Sequence, residues 1–467
     1  MFYRKDAVLA VVAGILASAG FAFADGAATQ PSSLSLTPTT ACSPADGCSS
    51  GLLMQGLDKI GVGDALKKAD LNIYGWLEAG YTYDHRHGKT AVPILPGPFN
   101  HEFGSNTPGP LWGGGDRNHF MLNQFVIRFE RQVKSDQWDV GGMVEIMYGT
   151  DASAIHANGL GLGFNGDDDR FNPQYQPDIT QAYVDVNVPI GNGLKFRAGK
   201  FVSFLCYETI DPRNNAFYSH SYLFAALPAT FTGLVGYYKI NDEWAVMGGF
   251  TRGWDQCLQD NNGSSIDVVG QVSYTPNKQW SAVLNFTCGP ENTNDSSHYR
   301  TTIDGILGWQ ATKELKLGLE GLYVYDGGRN GFVTPISGGT GPNANITHAY
   351  GDQWGGYLYG SYFIDEYVTA NARAGFFHTS VTSQFEGNFY GLPSLFNGIP
   401  GFDTNVFDFT LGLTVRPFPK DPIGKNLAIR PEIRYSICED PIYIQSLNPI
   451  RSFKDQLTFA ADVVFTF

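Results

Sequence analysis

Glu208, Asp211 and Arg213 lie close together in a stretch that is otherwise apolar, with Phe204, Leu205, Phe217, Tyr222, Leu223, Phe224 and Leu227 around them. Two carboxylates and a guanidinium at this spacing, in a segment able to pack inside a wall of strands, are suited to narrowing a passage and sorting solutes by size and charge. They do not suggest catalysis. Ser219 and His220 are chain neighbours whose side chains diverge in extended backbone, and no acid is placed to orient the histidine, so a hydrolytic triad is not met. Asn165-Gly166-Asp167-Asp168-Asp169 offers oxygen ligands without the spacing of a calcium loop, and Asp84-His85-Arg86-His87 is too short a set to define a metal site. Gly159 to Gly163 is followed by no helical pattern that would make it a phosphate cradle. The expectation is a protein without catalytic residues, metal or cofactor.

Other charges recur at every second position. Arg430, Glu432 and Arg434 alternate with Leu427, Ile429, Pro431, Ile433, Tyr435 and Ile437, and Lys316, Gly318 and Glu320 alternate with Leu315, Leu317 and Leu319. Period two is the signature of a strand with unlike faces. The polar phase carries Arg128, Glu130, Glu145, Asp185, Arg197, Arg373, Arg416, Arg430 and Arg434, which become candidate lining residues of a lumen. Glu78, Asp139, Lys195, Asp304, Glu320, Asp408 and Asp462 share that phase. Acidic residues dominate the second to fourth strand-like segments and arginines the thirteenth to fifteenth. Two arrangements fit this pattern: a transverse field across the lumen, or local ion pairs that hold the wall together.

The elements that must position these residues run from 71 to 467. Sixteen strand-like segments are legible, from 71–84, 118–133 and 137–151 through to 405–416, 426–437 and 456–467. Their connections alternate strictly between short turns, such as Asn241-Asp242 or Pro276-Asn277-Lys278, and long loops at 85–117, 152–177, 204–230, 255–265, 289–298, 326–351, 379–404 and 438–455. Short turns at one end and long loops at the other, with an even strand number, describe an all-β transmembrane antiparallel barrel with periplasmic turns and external loops. The last strand, Gln456 to Phe467, has Leu457, Phe459, Val463, Phe465 and Phe467 on one face and Thr458, Asp462 and Thr466 on the other, which suits lipid outside and water inside. It also resembles the carboxy-terminal assembly signal of bacterial outer-membrane proteins, which implies the outer-membrane assembly machinery as a partner.

Composition agrees. Aromatic residues make up 14% of the chain and charged residues 16%, yet mean hydropathy is −0.16, as expected when strands hide their apolar residues by alternation. Residues 1–24 read as a signal peptide, with Arg4 and Lys5, an apolar stretch, and Ala22-Phe23-Ala24 before the cut. Residues 25–70 read as a flexible periplasmic leader ending in an amphipathic helix broken around Gly61 to Gly63. A net charge of −14 argues against a nucleic-acid partner. Cys42 and Cys48 could close a small loop, whereas pairing among Cys206, Cys257, Cys288 and Cys438 is not assigned by spacing.

Arg197-Ala198-Gly199-Lys200-Phe201, Asn215 to Tyr222, Thr232-Gly233 and Gly253-Trp254-Asp255 resemble the OmpL-like β-barrel porins, as does Gly75-Trp76 with Gly80-Tyr81-Thr82. The resemblance implies an outer-membrane channel of a diderm bacterium, with both termini periplasmic, surrounded by outer-membrane lipid and passing small hydrophilic solutes. By analogy with general porins it also implies a homotrimer and a constriction in the loop 204–230. The rival reading is a surface receptor or adhesin that works through its loops on a plugged barrel.

Overall fold

A sheet whose two faces differ so strongly cannot stay open in lipid, because its edge N–H and C=O groups would have no partners. The computed structural model describes residues 51–84, 120–157, 159–160, 175–258, 265–291, 296–327, 351–380, 403–439, 443–447 and 450–467. The proposed signal peptide, most of the leader, Cys42, Cys48, His85, His87 and Asn165 to Asp169 lie outside them. The first strands are β1 (Leu71–Asp84), β2 (Phe120–Arg131), β3 (Asp139–Gly149), β4 (Gln176–Val188), β5 (Leu194–Val202), β6 (Thr230–Lys239), β7 (Trp244–Trp254) and β8 (Asp267–Tyr274). Next come β9 (Trp280–Gly289), β10 (Arg300–Gln310), β11 (Leu315–Asp326), β12 (Gly351–Phe363), β13 (Val368–Ser380), β14 (Asp403–Val415) and β15 (Leu427–Cys438). A separate hairpin, β16 (Tyr443–Leu447) and β17 (Ile450–Phe453), precedes β18 (Asp455–Thr466).

All but the hairpin form one closed antiparallel barrel of sixteen strands, in which β1 pairs with β18. The strand-like segments of the sequence coincide with these strands. The hairpin is the addition, because it lies in the 438–455 stretch expected to be a plain loop.

Burial in this wall is the reverse of a soluble sheet. Leu234, Phe250, Leu284, Leu358 and Leu411 are each more than half exposed, whereas Asp304, Glu320 and Asp408 are 0% exposed. The outer face is therefore built for lipid and the inner face for polar and charged groups. Exposed Trp244 stacks on Tyr274 at 4.3 Å, and Trp280 on Trp309 at 5.0 Å, both near the short turns, where an aromatic girdle would meet the interface.

The short turns share one device. The Asn241 Oδ1 atom accepts from the N–H groups of Glu243 and Trp244, and Asn277 does the same for Gln279 and Trp280. Asp365, Asp421 and Thr312 cap their turns in the same way. A short polar side chain that supplies the backbone acceptor fixes a tight reversal, which explains the recurrence of Asn and Asp there.

At the short-turn end two helices, α1 (Leu52–Lys59) and α2 (Gly63–Lys68), lead into β1. They are separated at Gly61, which adopts φ +82°, a conformation open to glycine. Met54 is buried and its sulfur accepts from the Ile73 N–H.

The barrel seam depends on Gly75. Its N–H and C=O both bond to Phe467 at 2.9 Å, and the Phe467 ring stacks on Phe125 at 5.9 Å. A Cβ at position 75 would fall 2.0 Å from the Val126 carbonyl oxygen and 2.8 Å from the Phe467 ring. We expect Gly75→Val to cost about 1–3 kcal/mol or more through overpacking, read as loss of the heat-modifiable folded band on a gel, while Gly321→Val, where a Cβ meets nothing within 4 Å, keeps it.

Candidate pore constriction

The segment from Ser203 to Ala229 leaves β5 and returns to β6, but between these points it reaches the opposite side of the barrel. Local sequence explains its shape. Pro212 starts a single turn of 3-10 helix, capped by Asp211, whose side chain accepts from the Arg213 N–H. Asn215 ties the turn back to Thr209 through both its side-chain atoms. Ser221 then caps α4 (Tyr222–Ala225), accepting from the Phe224 N–H; α3 (Thr150–Ala154) is the helix that follows β3.

Three arginines on the far wall hold the loop. Arg430, on β15, pairs with Asp462 and with Glu78 at 2.9 Å, and donates to the carbonyls of Pro212 at 2.7 Å and Asn215 at 2.9 Å. Arg434 grips Asp408 with two bonds, at 2.8 and 2.9 Å, and donates to the His220 carbonyl at 2.8 Å. Arg373, on β13, bonds to Glu208 and to the Ser219 carbonyl, both at 2.7 Å, and to the hydroxyls of Ser219 and Thr410. Glu432 adds the complementary contact, accepting from the N–H groups of Tyr218 and Ser219. A guanidinium carries five donors, so each of these can neutralise a wall carboxylate and still hold the loop backbone.

Glu208 and Asp211 are both buried, so the expected constriction charges are paired. Asp211 bonds to Arg213 at 2.8 Å and lies 3.4 Å from Arg128, which itself pairs with Glu145. Arg128 and Arg213 both sit against the Trp76 ring, at 4.5 and 4.1 Å from its centre. Burial alone would raise the Asp211 carboxyl, but Arg213 and then Arg128 outweigh it and hold it below the usual carboxylate range. Glu130 accepts from the Tyr74 hydroxyl at 2.6 Å, and Arg197 forms a two-bond pair with Asp185 over the Tyr183 ring.

The arginine-rich and acid-rich walls are therefore locally paired. One candidate lining residue is misplaced: Arg416 stands beyond β14, exposed in the turn, with its N–H on the Tyr367 carbonyl. The ladder ends at Val415 because Pro417 has no N–H to continue it. Ser219 and His220 are occupied separately, the hydroxyl by Arg373 and the ring by Asn215 and Phe224.

Sequence reasoning missed the wall positions that receive the loop. At Gly80 a Cβ would be 2.4 Å from the Tyr218 ring, and at Gly318 it would be 2.6 Å from that of Tyr207. Phe217 lies against Gly412 in the same manner. Tyr218 also donates to Asn123, and Tyr207 stacks on Tyr359 at 4.2 Å. The available signal was glycine on the polar phase of a strand, where nothing demands it unless a bulky group arrives from the other side. Among the described residues, three buried apolar clusters line different sectors of the interior, and Leu227 packs against all three.

Removing Arg373 would leave Glu208 and Asp408 buried with less compensation. Arg373→Met is expected to loosen the loop by about 3–5 kcal/mol, seen as faster amide exchange over 208–222 with the strands unchanged. Asp211 titrates below its unfolded value, so it contributes stability that is present at neutral pH and lost as pH falls through and below about 4. Loop protection should follow that course in the native protein, and Asp211→Asn should flatten it.

Several solved structures are similar to this chain. A high-pH structure of Pseudomonas putida OprB is 11% identical with a TM-score of 0.51, covering 88% of this chain and 97% of that one. An anion-selective porin from Comamonas acidovorans is 10% identical with a TM-score of 0.49, covering 85% and 99%. The outer membrane channel DcaP of Acinetobacter baumannii is 12% identical with a TM-score of 0.47, covering 85% and 97%. At 11% identity the likeness to OprB concerns the fold alone. No curated protein matches the sequence. The family model described as "Putative beta-barrel porin-2, OmpL-like" matches residues 70–467, the whole of the barrel, and the chain belongs to that family.

Proposed function

We propose that this protein is a diffusion channel of the outer membrane for small hydrophilic solutes or ions, with its aperture set by the loop 203–229. The observation that carries the reading is the crossing of that loop to the wall opposite its roots, where Arg373, Arg430 and Arg434 hold its backbone. Passage then occurs beside the loop, through whatever cross-section it leaves. Because the charges at the crossing are paired, size dominates over charge in selection. The start of β1 and the end of β18 lie together at the short-turn end, which this reading assigns to the periplasm. A homotrimer in the outer membrane belongs to the same reading.

A second reading draws on a different observation. The convergence of three apolar clusters on Leu227 favours a barrel closed at this level, acting through its long loops as a receptor or adhesin. Planar-bilayer recording separates the two. A channel gives stepwise conductance, and replacing 211–220 by a short glycine linker raises the step at least twofold. Absence of steps from protein that shows the folded band would reject the channel and leave the closed barrel.

A further inference from the structure

Two acidic residues at the long-loop end are not used by the constriction. Asp267 opens β8 and Glu291 follows β9. Asp267 is 1% exposed, and neither of its carboxylate oxygens has a hydrogen-bond partner. Position 289 must be small for it to sit there, since a Cβ on Gly289 would fall 1.7 Å from Oδ1. Asp267 pairs across the ladder with Thr251, and the hydroxyls of Thr251 and, one strand further on, of Thr287 are also buried without partners. The Glu291 carboxyl is pushed well above the usual range, by burial first and then by the charge of neighbouring Asp267. Both Glu291 oxygens accept from the Trp254 N–H, at 3.1 and 2.9 Å. Arg300, the guanidinium that acts on Glu291, is held by Asp326 at 2.9 and 2.6 Å.

Two carboxylates pressed together either share a proton, which leaves one of them neutral, or stay ionised around a cation. A proton satisfies one oxygen. The second Asp267 oxygen and the two threonine hydroxyls would remain buried without a partner, which is costly. A hard cation that takes six to eight oxygens would use all of them. We propose that Asp267 and Glu291 form a binding site for a divalent cation of the calcium class, completed by threonine hydroxyls and water. The site is linked to the constriction. Glu291 fixes the Trp254 backbone, the Trp254 side chain packs against two of the apolar clusters that Leu227 also joins, and neighbouring Asp255 accepts from the Thr230 N–H where the crossing loop ends.

Terbium tests the site directly, because it resembles calcium in its ligand preference and its emission is excited through a nearby indole, here Trp254. The refolded full barrel is titrated with Tb³⁺ alone and then with Ca²⁺ as competitor. One saturable site per chain is expected, displaced by Ca²⁺, and weakened at least tenfold in Asp267→Asn and in Glu291→Gln. Glu291→Gln keeps an acceptor for the Trp254 N–H, so it serves if Asp267→Asn fails to give the folded band. Asp421→Asn, in a turn at the opposite end, should bind as the native chain does. Absence of saturable emission from folded barrel would assign a shared proton to the pair and overturn the proposal. Equal affinity in the folded variants would place the ion elsewhere and overturn it too.

Discussion

A guanidinium taken out of water needs a counter-charge and acceptors for its remaining N–H groups, and this barrel satisfies both needs with different parts of the chain. The wall supplies the carboxylates, Asp408 and Asp462, and the loop supplies the backbone carbonyls of Pro212, Asn215, Ser219 and His220. Neither part is sufficient. Without the loop, Arg373, Arg430 and Arg434 would exchange these acceptors for lumen water; without the arginines, Glu208 would keep the Ser221 N–H but lose its counter-charge, and the loop carbonyls would lose their charged donors. The crossing of the lumen follows from this mutual requirement.

The same requirement organises the apolar side. A loop pinned by its backbone can present large side chains to the wall, and the wall accepts them where it carries glycine, as with Tyr218 at Gly80 and Tyr207 at Gly318. Leu227 then joins the clusters on three sectors of the interior. Lipid takes the outer apolar face, so every strand is apolar outward and the inner face is free to be polar or to form this enclosed core. The aperture is what remains after ion pairs and packing have fixed the loop.

The strands were legible because the environment imposes a period of two on each of them, and the tight turns because Asn241, Asn277 and Asp365 provide their own backbone acceptors. The position of the 203–229 loop inside the barrel could be anticipated from its apolar residues. Its partners could not. Glu78 and Arg430 are 352 residues apart, and the Ser219 carbonyl and Arg373 are 154 apart, so only closure of the barrel brings them together. Carbonyl acceptors have no sequence signature at all. Arg416 shows the limit of counting by phase, since the alternation continues past Val415 although Pro417 ends the ladder.

The central claim is that the buried arginine network keeps the loop across the lumen and so sets the aperture. Single-channel conductance of the double variant Arg373→Met/Arg434→Met, compared with the native chain in the same bilayer and salt, tests it most directly. The account predicts a larger and noisier step from protein that still shows the folded band. A step of unchanged size and noise would contradict it, because the aperture would then be set by something other than the held loop.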